Sequence, residues 1–144
     1  MNTLPSKEDI NDGTLDGDYA ERHFYGKNIH EAAQLFFESS EYYAEDFLWM
    51  KDKGFVFYFP SVEPYLLSDE SENDYECISP LLSAIDFKLK YSPAAIDQIS
   101  DVILRILIYI LNNLEKFDML DELWGDCPGK IQNLIDRIKS RQCN

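Results

Sequence analysis

The sequence predicts an all-α fold: a single compact domain of five to seven helices around a central apolar helix at about residues 93–116. Three observations predict it. Apolar residues recur at i, i+3, i+4 and i+7 in several windows. Pro93 and Pro128 stand where helices begin. No two alternating runs offer strands to each other. The chain has 144 residues, 45% of them hydrophobic and 14% aromatic. That is enough apolar surface for one core without disulfides or metal.

Residues 1–18 are acid-rich and have little to bury, so they read as a flexible arm, with the domain spanning 19–142. Asn28 suits a helix N-cap with Glu31 at its third position, and Ile29, Ala32, Ala33 and Phe36 make one buried stripe. A second helix is expected over residues 41–50 with Tyr43, Phe47 and Met50 inward, ended by Lys51-Asp52-Lys53-Gly54. Phe55-Val56-Phe57-Tyr58-Phe59 has strand-forming residues, yet Pro60 stops it and it has no partner. A lone strand leaves its backbone groups unsatisfied, so a short helix is expected, then another from Ser61 to Leu67.

Residues 68–76 form a polar connector with five carboxylates, and Ile78 to Leu89 reads as a helix carrying Leu81, Leu82, Ile85 and Leu89. Ser92-Pro93 starts the long helix expected to reach about Lys116, apolar nearly all round from Val102 to Leu111. After Pro128, Ile131, Leu134, Ile135 and Ile138 give a regular stripe, and Arg137, Lys139 and Arg141 suit the negative helix end.

The net charge is −14. It argues against nucleic acid or an anionic membrane as a direct ligand, since both repel it. The charge is also unevenly placed. Residues 1–76 hold 18 acidic and five basic side chains, net −13, whereas residues 77–144 hold nine and eight, net −1. Such asymmetry points to an interaction surface, although an acidic tail plus one solvated loop accounts for it too. The N-terminus has no basic and apolar segments of a secretory signal. The longest apolar run falls well short of the ~20 residues that span a bilayer. Cys77, Cys127 and Cys143 form no CxxC pair, so reduced thiols and a cytoplasmic location are expected.

The inventory for chemistry is thin. His30-Glu31 begins like a zincin motif, but Gln34 stands where the second histidine belongs. His23 and His30 with Glu31 or Cys77 lack the spacing for a metal site. Asp69, Ser71 and Asn73 imitate a calcium loop until Asp74 occupies the glycine position and Pro80 that of the closing glutamate. Asp118, Asp121 and Glu122 lie within one helical turn and read as a solvated face rather than an acid–base pair. Cys127 at a helix start has no histidine beside it and reads as a capping or buried residue. No catalytic residue, cofactor or metal is expected, and the chain reads as a non-enzyme.

The aromatic residues say more. Tyr42, Tyr43, Phe47, Trp49, Phe55, Phe57, Tyr58, Phe59 and Tyr65 fall within 24 residues, interleaved with Glu41, Glu45, Asp46 and Glu63. Most belong to a core. Rings that surface among carboxylates suit an interface, where they contribute affinity and the charges steer a basic partner.

Three stretches carry a resemblance: His23-Phe24-Tyr25-Gly26-Lys27 with Glu31-Ala32 and Leu35-Phe36, then Tyr43 to Met50, then Phe55 to Pro60. Over residues 23–68 the chain resembles an uncharacterised bacterial family of small acidic proteins. It departs from the pattern at Phe47, where leucine is usual, and at Ser61, where alanine is. The resemblance implies helix in the aromatic run and no established activity. In profile alone the chain looks like the immunity proteins paired with secreted toxins. The expected function is therefore neutralisation of a basic toxin domain by direct binding. The expected contacts are Asp69, Glu70, Glu72, Asp74 and Glu76, then Glu41, Glu45 and Asp46. An adaptor or chaperone for a basic effector would use the same surface. An enzyme would need a deep pocket at the histidines or at the 118–122 acids.

Overall fold

A computed structural model describes residues 3–120 and 126–143. In chain order the α-helices are α1 (Lys7–Ile10), α2 (Leu15–Phe24), α3 (Ile29–Ala44), α4 (Asp52–Tyr58), α5 (Glu63–Leu67), α6 (Tyr75–Tyr91), α7 (Pro93–Gln98), α8 (Ser100–Asn112) and α9 (Cys127–Gln142). Short 3-10 turns at Glu45–Trp49, Phe59–Val62 and Asp69–Ser71 join some of them. The fold is all-α. Among the described residues the sole β feature is an isolated bridge between Asn11 and Met50. Nine α-helices stand among the described residues where five to seven were expected, and three of the predicted boundaries move.

The first is at the N-terminus. Helix begins at Lys7 rather than near Tyr19, with Ser6 and Asp9 closing a capping box. Ile10 is fully buried, and its carbonyl accepts the Lys51 N–H at 2.9 Å. One isoleucine in an acidic segment escapes a composition argument, yet it docks the turn. The second is at Gly54. It lies inside α4, not at a helix end, where a Cβ would meet the Asp9 carbonyl oxygen at 3.0 Å and Ile10 Cα at 3.1 Å. Glycine is there so that α1 and α4 can touch backbone to backbone.

The third boundary splits the predicted long helix. Ile99, at φ −129° and ψ 28°, separates α7 from α8. Ile103, Ile106, Leu107 and Ile110 are buried, but Ile108 is 38% exposed, and α8 packs chiefly on α9. The central position belongs instead to α3 and α6, which pack on each other and on most other elements. The aromatic run is helical as expected. Phe24, Phe36, Phe47, Phe55, Tyr58 and Phe59 form the ring-packed heart of the core, with centroids about 5–6 Å apart. Helix α3, kinked at Ser39 (φ −161°, ψ 83°), runs on into the start of the second predicted helix, and Glu45–Trp49, expected to continue that helix, forms a 3-10 turn instead. No helix among the described residues is long and apolar enough to cross a membrane.

Candidate acidic interface

The site is built where the C-terminal end of α3 meets the N-terminal end of α6. The polar connector between α5 and α6 is not a free loop. Ser71 is fully buried and donates to the Leu66 carbonyl oxygen at 2.9 Å. Asn73 adopts φ 65°, a region asparagine tolerates, and its N–H donates to the Lys116 carbonyl oxygen at 2.7 Å. Asp74 then caps α6 by accepting the Cys77 N–H at 3.2 Å, and it also accepts from the hydroxyls of Ser40 and Tyr65. These bonds fasten the start of α6 against the end of α3. Burial and the Asp74 carboxylate push the Tyr65 phenol well above its ordinary range.

That junction gathers four of the eight expected contact residues. Glu41 and Glu45 from the α3 end face Glu76 across a groove of about 540 Å³, with Leu48, Trp49, Tyr75 and Pro80 also lining it. The Glu41 carboxyl is held above its ordinary value, first by burial, then by the charges of Glu76, Glu45 and Asp74. Like charges drawn together raise one another's proton affinity. Among the described residues, no cation comes within ion-pair distance of Glu41, Glu45, Asp69, Glu70, Glu72, Asp74 or Glu76. Other acids differ: Asp86 pairs with Arg137 and Lys90, and Asp97 with Arg141, while Glu63 holds Arg105.

Other expected contacts stand apart. Asp69, Glu70 and Glu72 are exposed on the connector. Asp46 does not belong to this surface. It is 6% exposed, and its Oδ2 lies 2.6 Å from His23 Nδ1, whose Nε2 is 3.1 Å from the Tyr42 hydroxyl. Burial pushes the Asp46 carboxyl up to about 6, against the lowering effect of His23. Position 46 follows Glu45 in sequence, and the 3-10 turn leaves Glu45 exposed and Asp46 buried.

His23 is thus engaged within the fold, and His30 is exposed on α3. Cys77 is fully buried, and burial raises its thiol strongly. Among the described residues, no group of three His, Cys, Asp or Glu is placed to hold a metal. Of the Asp118, Asp121 and Glu122 face, the last two lie outside the described residues. Cys127 is buried, its thiol 3.8 Å from the Tyr75 hydroxyl, and Asp126 caps α9 by accepting the Gly129 N–H.

Sequence reasoning missed the serines that shape this region. Ser79 and Ser83 lie one helical turn apart on the exposed side of α6, and their small side chains leave a trough beside Tyr75. The signal was present: Tyr75, Ser79 and Ser83 follow the i, i+4, i+8 spacing of one helix face. No family model matches the chain, and neither does any curated protein or solved structure. The likeness over residues 23–68 acquires no family from them.

Proposed function

We propose that the protein is a non-enzymatic acidic binding protein, an immunity protein that neutralises a cognate bacterial toxin in the cytoplasm by direct protein–protein contact. The toxin domain it fits is basic, as a nuclease domain is. One observation carries the reading: among the described residues, the carboxylates around the α3–α6 junction have no cation within ion-pair distance, and they are set beside Leu48, Trp49 and Tyr75. Holding like charges together raises the energy of the free protein, and a basic partner relieves that cost. The aromatic and apolar side chains supply the area that charges alone do not.

The test is co-expression with the product of the gene immediately upstream. The expected result is rescue of cells that the upstream product otherwise kills, and loss of rescue on the combined change Glu41→Lys, Glu45→Lys and Glu76→Lys. Failure of the purified proteins to bind, or of this protein to rescue, overturns the reading. A bound partner that keeps its full activity also overturns it.

A further inference from the structure

We infer that the exposed face of α6 is the seat of one basic α-helical segment of the partner. This deepens, and rests on, the proposed role as a binder of a basic protein. Two grooves, of about 540 and 570 Å³, share Tyr75, Ser79 and Ser83 and so form one trough along α6. Its floor runs from Tyr75 to Asp86, about 17 Å at 1.5 Å per residue, or three helical turns. The trough exists because α6 packs on the 45–49 turn along one side and on α9 along the other. Serine side chains at 79 and 83 are too small to fill the space between those walls.

The charge of the walls selects the occupant. Glu41, Glu45, Glu76 and Asp126 gather at the Tyr75 end, where Cys127 meets the Tyr75 hydroxyl, whereas Asp86 at the far end is already paired with Arg137 and Lys90, and Lys130 is the one cation among the lining residues. Leu48 and Trp49 offer apolar contact on the first wall, and Leu82 and Leu134 offer it beside the second. A helix with lysine or arginine toward one end and small apolar residues beyond them matches that order. This is helix-in-groove recognition, with side chains spaced i, i+4 and i+7 as anchors.

The experiment uses the full chain and a labelled alanine-based peptide of about 20 residues carrying lysines on one helical face, long enough to be helical in water. A proline-interrupted peptide of the same composition is the control. At about 0.15 M salt the helical peptide is expected to bind at least about tenfold tighter than the interrupted one. It should shift the amide resonances of Ser79, Ser83 and Asn133. Ser83→Trp, which fills the trough, is expected to weaken binding about tenfold or more, as is Asn133→Lys on the opposite wall, while Asp101→Asn changes it less than about twofold. Equal binding of the two peptides overturns the inference. So does unchanged binding in both the Ser83 and Asn133 variants, each shown by circular dichroism to be folded. In either case rescue from the upstream toxin still reports separately on the acidic-interface reading: rescue that survives Ser83→Trp leaves that reading standing without the α6 seat.

Discussion

Two aspartates marked for partner contact are committed within the fold, and each makes a prediction. Asp46 is buried beside His23, with its carboxyl raised to about 6 from an unfolded value of 3.8. A raised carboxyl means that the ionised form costs more in the folded state. The stability linked to its protonation is therefore complete below about pH 4 and is lost as pH rises through about 6. Asp46→Asn keeps an acceptor for the His23 N–H and removes the titration. Urea unfolding at pH 4, 6 and 8 should show the native protein losing on the order of 2 kcal/mol relative to this variant across that range. Parallel curves for the two proteins would refute the assignment. Asp74 caps α6 and accepts from Ser40 and Tyr65, so Asp74→Ala should cost about 2 kcal/mol in denaturant unfolding. Glu41→Gln should leave the melting temperature equal or slightly higher, because it relieves repulsion from Glu76. That contrast separates a structural acid from an interface acid, and equal losses in both would count against the site.

At the scale of elements, the backbone contact at Gly54 is the sharpest feature. An added methyl group there meets the Asp9 carbonyl oxygen and Ile10 Cα, which are main-chain atoms with little freedom to yield. Gly54→Ala should destabilise the protein by about 1–3 kcal/mol despite alanine's better helix propensity. Hydrogen exchange should speed up first at the Lys51 amide, which donates to Ile10. A stabilised Gly54→Ala variant would mean that α1 does not pack against α4 at Gly54. The break at Ile99 belongs to the same scale. Ser92 and Pro93 signal where α7 starts, and no glycine or proline signals where it stops. The stop comes from packing: α7 lies against α4, α6 and α9, while α8 turns to follow α9.

For the whole molecule, the unequal charge becomes a property of association. Under the proposed function, a basic partner approaches a chain whose first 76 residues carry net −13. Stopped-flow association rates should therefore fall by about tenfold or more between low salt and about 0.5 M, with a much smaller change in dissociation rate. Salt-independent association would exclude electrostatic steering. The all-α class, the Asn28–Glu31 capping box and the stripe of α9 were legible in the sequence because each depends on residues three or four apart along one chain segment, and the helical aromatic run because no other segment offers it a partner strand. The burial of Ile10, the inward turn of Asp46, the replacement of the 93–116 helix by α3 and α6 at the centre, and the trough between the 45–49 turn and α9 were not. Those depend on which distant segments meet. A local pattern determines what a segment can form, and only packing decides which of its faces remains for a partner.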